Sequence, residues 1–406
     1  MNVPGLDTAW ILGHRALRGV GVVRPWTLPE CKSALAEGCP VLVVATTALG
    51  DSILCTPLLD TLSTHLGPER TFFWVREPFR TLYNSDPRIG GVFGARGKYR
   101  GLGVARSEMR AAMSLDGNAL KKKGSANGAA ERGFIALIAN CSEPDVIPWL
   151  WWCGARGFLR YRSRWSTWGN WFANRAEMRQ PHEEGYATGH AIANNLAMAQ
   201  SLDMEPSTHR LRIQLKNREA ETFGVLGTSN VSQASTTNDR SDSPLILIHP
   251  GASRQDKCWP LECWAEVAQE LYKHAFLMGK PLPRFAVTGG KDERDAAETL
   301  RRILPGQAES HAGKLNLPEL AALQQKAQLF LSGDTGPYHL AVAVGCRTVT
   351  LFAPRDRGSS TEACGLHQAD RSRHAEIQTP NYGDPIASIR SDTVRTEALR
   401  IVGALV

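Results

Sequence analysis

The sequence predicts an α/β protein of two domains, and three observations carry that expectation. Short apolar runs of strand length are followed again and again by glycine-bearing turns and then by helical periodicity, the rhythm of a parallel sheet with crossover helices. The chain has 406 residues, enough for two full hydrophobic cores. A polar stretch without any period, Gly227 to Ser243, separates two such series and reads as a linker. The expected divisions are an N-terminal extension at 1–40, a first domain at 41–216, a flexible linker at 217–243, a second domain at 244–385 and a closing helix at 386–406.

Composition narrows the chemistry. The content, 42% hydrophobic and 21% charged, is that of an ordinary globular protein, and the net charge of +7 points to an anionic partner: nucleic acid, a membrane surface or a phosphorylated substrate. Nine cysteines without a Cys-x-x-Cys pair argue for reduced thiols in a cytoplasmic protein rather than a disulfide framework or a zinc site. Eleven histidines show no ligand spacing, so no metal is expected. No apolar run reaches the roughly 18 residues of a membrane span. Trp10 to Val23 is interrupted by His14, Arg15 and Arg18, so a signal peptide is not expected. The extension, with Pro4, Pro25, Pro29 and Pro40, reads as a segment laid against the main body. The common nucleotide-binding and hydrolase motifs, Gly-x-x-x-x-Gly-Lys-Ser/Thr, Gly-x-Gly-x-x-Gly, His-Glu-x-x-His and Gly-x-Ser-x-Gly, are absent from the sequence.

In the first domain Val41 to Val44 is a buried strand. It runs through Ala45-Thr-Thr-Ala-Leu-Gly-Asp51 into a helix from Ser52 to Leu62, whose apolar stripe is Leu54, Leu58, Leu59 and Leu62. Asp51 therefore stands at a helix mouth on the carboxyl edge of a sheet, either as a cap or as a working carboxylate. Thr71 to Val75, Gly91 to Phe93 and Phe134 to Ala139 read as further strands. Between Arg96 and Lys123 eight cations face only Glu108 and Asp116, either a solvated face or a patch for an anionic acceptor. Residues 149–172 hold six of the eleven tryptophans, interleaved with arginines. That composition suits a core with snorkelling arginines, a stacking surface for sugars or a contact with anionic lipid. Glu184 to Leu202 reads as a helix and Leu211 to Leu215 as an alternating strand.

The second domain opens with the strand Leu245 to Ile248. It passes through His249-Pro-Gly-Ala-Ser-Arg-Gln-Asp-Lys-Cys-Trp-Pro260 into a helix from Leu261 to Tyr272. Gly251 lets the backbone turn beside a ligand, Ser253 offers a hydroxyl and Lys257 can neutralise a phosphate, while His249 reads as structural. Arg284 to Arg294 is strand, glycine turn and acidic helix start, with Glu293 either a ligand for ribose hydroxyls or a favourable charge at a helix N-terminus. Leu317 to Lys326 is a helix. Leu329 to Phe352 then reads as strand, tight loop, helix and strand, with Ser332-Gly-Asp-Thr-Gly336 as the loop and Pro337 at a first helical position. Asp334 and Thr335 either cap that helix or face a phosphate at its N-terminus.

Leu49-Gly-Asp-x-Ile-Leu-x-Thr-Pro57, His249-Pro-Gly-Ala-Ser-x-x-x-Lys-x-Trp-Pro260 and Asp334-Thr-Gly-Pro-x-His-Leu-Ala341, in that order, resemble glycosyltransferase family 9, the bacterial heptosyltransferases, over roughly 41–403. The resemblance implies GT-B architecture, two Rossmann-like domains facing a cleft. It implies an inverting, metal-independent glycosyltransferase that moves heptose from ADP-heptose to the lipopolysaccharide inner core. Asp51 would be catalytic. Ser253, Lys257, Glu293, Asp334, Thr335, Gly336 and His339 would hold the donor, and Gly50, Arg96, Arg100 and Trp152 the acceptor. No cofactor beyond the nucleotide-sugar substrate is implied. The implied place is the cytoplasm, at the inner face of the inner membrane with a peripheral contact to its anionic surface, and nucleic acid is not an expected partner. Two rival readings are a transferase of the same fold with another nucleotide sugar or acceptor, and a non-catalytic sugar-nucleotide-binding module. The chain departs from the family at Val44-Ala45-Thr46, where many relatives carry Lys or Arg, at Asn140, where Asp is common, and at Ala353, where Gly is usual.

Overall fold

The structure, a computed structural model, describes residues 24–95, 102–115, 133–140, 146–160, 174–175, 190–215, 243–252, 254–355, 359–365 and 370–403. The chain divides into two compact units, Met1–His209 and Arg210–Val406. The linker expected at 217–243 lies, except for Ser243, outside the described residues.

The first unit opens with helix α1 (Leu28–Ala36), whose Thr27 and Glu30 form a reciprocal capping box. It docks on the unit through Trp26, whose N–H donates to the Arg156 carbonyl at 2.8 Å. Arg70 adds bonds to the carbonyls of Leu35 and Cys39 at 2.6 and 3.0 Å. Its sheet comprises β1 (Val41–Ala45), β2 (Thr71–Arg76), β3 (Gly91–Ala95), β4 (Phe134–Asn140), β5 (Ala155–Arg160) and β6 (Asn174–Arg175), in the order β3-β2-β1-β4-β5-β6. Every neighbouring pair is parallel. Between β1 and β2 the expected single helix is two, α2 (Leu49–Ile53) and α3 (Thr56–Leu66). Pro57 has no N–H to continue the first, and starts the second instead. α4 (Leu102–Ala112) and α5 (Val146–Cys153) cover one face, with Met109, Ile147 and Leu150 packed on Leu42, Val44, Phe134 and Ala136. α6 (Ala191–Gln200) packs beside α3.

The second unit repeats the plan with β7 (Leu245–His249), β8 (Arg284–Val287), β9 (Ala308–Ser310), β10 (Leu329–Gly333), β11 (Thr348–Phe352) and β12 (His374–Gln378). Their order is β12-β11-β10-β7-β8-β9, again wholly parallel. Counted from its own first strand, each sheet therefore runs 3-2-1-4-5-6, the doubly wound order of Rossmann folds. α7 (Leu261–Leu277), α8 (Arg294–Ile303), α9 (Leu317–Lys326), α10 (Gly336–Ala343), the short α11 (Thr361–Cys364) and α12 (Ser391–Gly403) complete it. The inner strands β1, β4, β7 and β10 read as apolar runs because a parallel sheet is covered on both faces, whereas the outer β9 (Ala-Glu-Ser) and β12 (His-Ala-Glu-Ile-Gln) are polar and were not expected from the sequence.

Two expectations change. Leu211 to Leu215 forms no strand: Leu211 and Ile213 are buried, and the Ile213 N–H donates to the Ala343 carbonyl at 3.1 Å, so the alternation reflects a one-sided extended segment. The closing helix, set apart at 386–406, is part of the second unit's core. Val394, Ala398 and Ile401 are buried there with Trp264, Ala268 and Leu271.

Candidate active site

In a doubly wound sheet, ligands bind beyond the carboxyl ends of the strands where strand order reverses. These points lie between β1 and β4 in the first unit and between β7 and β10 in the second.

In the first unit the loop after β1 carries Asp51. It stands at the third position of α2, not at the cap, and its Oδ2 accepts from the Thr47 hydroxyl and, at 3.1 Å, from the Ala48 N–H. Oδ1 carries no hydrogen bond among the described residues. Half of a capping box thus anchors one carboxylate oxygen and leaves the other for a proton. The helix is held from below: Ser52 bonds to the Leu49 carbonyl at 2.8 Å and to the Tyr83 hydroxyl at 3.0 Å. Asn195 of α6 donates to the Leu54 carbonyl, orphaned by the helix break, at 3.1 Å. Gly50 is buried at the second position of α2. Arg76, at the end of β2, donates to the Thr47 carbonyl at 3.4 Å. A guanidinium thus stands beside the turn that follows Val44-Ala45-Thr46.

In the second unit Lys257 and Asp334, 77 residues apart, meet at 2.7 Å, each largely shielded. The pair bridges the loops after β7 and β10. Gly333 permits this approach, since a Cβ there would stand 3.3 Å from the Lys257 carbonyl. Thr335 occupies the cap position of α10, yet its side chain makes no capping bond, and its buried Oγ1 has no hydrogen-bond partner among the described residues. The capping reading of Asp334 and Thr335 therefore fails: one carboxylate is engaged by Lys257 and one hydroxyl is unused. The first turn of α10, beginning at Gly336, keeps its N-terminal partial charge without a side-chain cap. His339 lies in that turn and is buried against the Tyr338 ring.

Glu293 closes the turn after β8, its Oε2 accepting the Gly290 N–H. A Cβ on Gly251 would fall 1.9 Å from Glu293 Oε1, so glycine is what lets the carboxylate lie against the loop after β7. His249 is buried, its Nδ1 3.1 Å from the Thr288 hydroxyl. Burial holds its imidazole below the ordinary value against the opposing pull of Glu293. The His249 Nε2 stands 4.0 Å from Glu293 Oε2.

Trp152 is not brought to this region. α5 returns antiparallel to the strands, so Trp152 stands just ahead of β5, at the amino edge of the sheet, whereas Asp51 follows the carboxyl end of β1. Its indole lies under the Arg106 guanidinium, 5.0 Å from the ring centroid. Trp149 is core, stacked on Trp74, which matches the bland reading of part of that stretch. Trp151 stacks on Phe158 with the Arg156 guanidinium 4.4 Å from its ring centroid, while Arg96, Arg100, Ser253, Trp165, Trp168 and Trp171 lie outside the described residues.

One cluster escaped the sequence reading. Arg254 grips Asp256 at 2.9 and 2.7 Å, and Arg355, from the loop after β11, reaches the same carboxylate at 2.8 Å. The bonds from Arg254 hold Asp256 well below the usual carboxylate range. With Lys257 and Asp334 this makes three cations and two anions along three loops, a net positive edge. Only strand order, which puts β7 and β11 on either side of β10, would have disclosed it. Among the described residues no three His, Cys, Asp or Glu side chains are grouped to hold a metal ion.

Two doubly wound units, each with charged side chains held at its strand-order reversal, define a two-unit Rossmann-like α/β protein. The profile of glycosyltransferase family 9 (heptosyltransferase) matches residues 159–377, more than half of the chain, and the chain belongs to that family. The match takes in the whole Lys257–Asp334 region but begins beyond Asp51. Lipopolysaccharide core heptosyltransferase OpsX of Haemophilus influenzae is 33% identical over 108 residues, 27% of this chain and 30% of that protein. Lipopolysaccharide heptosyltransferase 3 of Escherichia coli is 31% identical over 114 residues, 27% of this chain and 32% of that one. The chain thus spans about a third of the length of the curated relatives it matches. Among solved structures, the glycosyl transferase family 9 protein of Veillonella parvula superposes with a TM-score of 0.66 at 18% identity, covering 90% of this chain and 97% of that one. ADP-heptose lipopolysaccharide heptosyltransferase II of E. coli gives 0.65 at 15%, covering 90% and 100%. At such identities these two speak for the fold alone.

Proposed function

We propose that the protein is an inverting glycosyltransferase that moves heptose from ADP-heptose to a sugar hydroxyl of the lipopolysaccharide inner core. The observation that carries this reading is the Lys257–Asp334 pair at the strand-order reversal, inside the segment matched by the family profile. Asp51 takes the proton of the acceptor hydroxyl on Oδ1. The acceptor oxygen forms a bond to the anomeric carbon as the bond from that carbon to the diphosphate breaks, and ADP leaves with the electron pair. Lys257, Ser253 and the N-terminus of α10 at Thr335 and Gly336 offset the charge growing on the diphosphate. Glu293 takes the ribose hydroxyls, and Asp334 and His339 hold the donor loop in shape. Gly50, Arg96 and Arg100 serve the acceptor, with Arg96 and Arg100 suited to its anionic groups. No metal or further cofactor enters the scheme, and the protein works at the cytoplasmic face of the inner membrane. No helix among the described residues is long and apolar enough to cross a membrane.

The test is ADP release from ADP-heptose with a panel of truncated lipopolysaccharide acceptors, for the wild type and Asp51→Asn. A positioned base contributes about 10²–10⁴-fold, so kcat should fall by that factor with donor binding retained. Turnover that survives the substitution would move the base elsewhere. Donor binding without turnover on any acceptor would overturn the acceptor assignment.

A further inference from the structure

The second unit carries an apolar tip that its fold does not use. Phe276, Leu277 and Met278 end α7 and are 69%, 71% and 59% exposed, far outside the behaviour of a core-facing helix end. Scattered exposed apolar residues are ordinary, but three in succession are not. This is no frayed terminus. The Lys280 N–H returns to the Ala275 carbonyl at 2.9 Å and the Gly279 N–H to the Phe276 carbonyl at 3.1 Å, with Gly279 at φ +63, a complete Schellman closure. A Cβ on Gly279 would meet nothing within 4 Å, so the tip stands clear of the body.

The end of α8 lies beside it. Leu304 is buried in one core with Leu271, and a Cβ on Gly306 would sit 3.0 Å from the Tyr272 ring, so the ends of the two helices are neighbours, and Ile303, the last residue of α8, is 39% exposed. Each carboxylate near these ends already faces a cation: Glu270 faces Lys273 and Arg395, Glu298 faces Arg301 and Arg302, and Glu309 faces His311. Lys280 and Arg284 have no carboxylate partner among the described residues, so the rim carries a positive surplus. Both helices run against the strands. The tip is therefore at the amino edge of the second sheet, away from Lys257 and Asp334 at the carboxyl edge.

We propose that Phe276, Leu277, Met278 and Ile303, rimmed by Lys280 and Arg284, form an insertion tip for an anionic lipid bilayer. Consecutive residues on a helix point in different directions, so the three side chains make a projecting knob rather than the flat stripe that fits a rigid groove. A deformable apolar phase accepts such a knob, and anionic headgroups match its cationic rim. The surface differs from the tryptophan- and arginine-rich stretch of the first unit, and the inference does not depend on the reaction catalysed.

The test is co-sedimentation of the full chain with vesicles of phosphatidylethanolamine and phosphatidylglycerol at about 3:1, against vesicles of phosphatidylcholine alone. The wild type should partition onto the anionic vesicles, and less so as salt is raised. The triple variant Phe276→Ser, Leu277→Ser, Met278→Ser should lose about tenfold or more of that partition, and Lys280→Glu a smaller part. Unchanged Tm and ADP binding would show both variants folded. Equal sedimentation of wild type and triple variant would overturn the proposal. So would a wild type that ignores both vesicles, and a wild-type dimer in light scattering that the triple variant converts to monomer without any vesicle binding would assign the tip to self-association instead.

Discussion

Lys257 illustrates how a side chain's value depends on what already neutralises it. Its ammonium is committed to Asp334 at 2.7 Å before any ligand arrives, with both groups largely out of water. A diphosphate arriving there adds negative charge to a site that already contains one carboxylate. Lys257→Ala should therefore do more than remove an attraction, because it leaves Asp334 to repel the donor. Asp334→Ala removes the repulsion together with the group that positions the lysine. The double variant should then lose less donor kcat/KM than the product of the single losses, with a coupling of roughly 0.5–3 kcal/mol. Strictly multiplicative losses would mean that the two residues act separately. Nothing in the sequence announces this pair: Lys257 and Asp334 were each legible as phosphate-site candidates, but their meeting depends on β7 and β10 being neighbours.

Loops between rigid elements set the remaining geometry, and Gly251 tests one of them. The atoms a Cβ would strike at Gly251, Oε1 and Cδ of Glu293 at 1.9 and 2.2 Å, are the free end of a flexible side chain. Gly251→Ala should therefore leave Tm close to that of the wild type while displacing the carboxylate, and it should raise the donor KM about as much as Glu293→Gln does. A KM effect in only one of the two variants would show that the glycine serves something other than Glu293. Elements of this kind were largely legible. Of the described strands, β1 to β4, β7, β8, β10 and β11 stand out as apolar runs ending in turn residues, and Pro337 and Pro260 mark helix starts. By contrast, β5, β6, β9 and β12 carry charged or polar residues toward the sheet margins and gave no such signal. Less legible was whatever depends on contacts distant in sequence. The stripe Leu54, Leu58, Leu59 and Leu62 keeps helical phase across the break at Leu54 and Cys55, so periodicity alone joins two helices into one. Leu211 to Leu215 alternates as a strand would, yet lies along the Ala343 end of α10 with no ladder to join. Trp152 carries the composition of a sugar platform, but the antiparallel return of α5 takes it to the opposite edge of the sheet from Asp51.

At the scale of the molecule the two units share a plan, and in the second of them buried imidazoles couple the fold to acid. Three histidines of the second unit, His249, His311 and His374, are each held below the ordinary imidazole value of 6.5 by burial. For His374, packed at 7% exposure with its Nδ1 3.0 Å from the Thr348 hydroxyl, burial prevails over the carboxylates of Asp370 and Glu376 and pushes the imidazole down to about 4. A group whose folded value is depressed in this way resists the proton that the unfolded chain accepts. Between pH 6.5 and 4 the unfolded state therefore binds more protons, and stability, complete above about pH 6.5, falls as the solution is acidified. By pH 5 His374 alone should cost the second unit about 2 kcal/mol, at roughly 1.4 kcal/mol per pH unit. Scanning calorimetry at pH 7.5 and 5 should show the second unit's transition moving down with acid, and His374→Asn, which cannot take the proton, should move less than the wild type. The expected difference is several degrees, since about 1 kcal/mol shifts Tm by roughly 2–4 °C in a unit of this size. Parallel shifts of wild type and variant would mean that His374 is protonated as readily in the folded chain as in the unfolded one, and would trace the acid sensitivity to His249, His311 or the carboxylates.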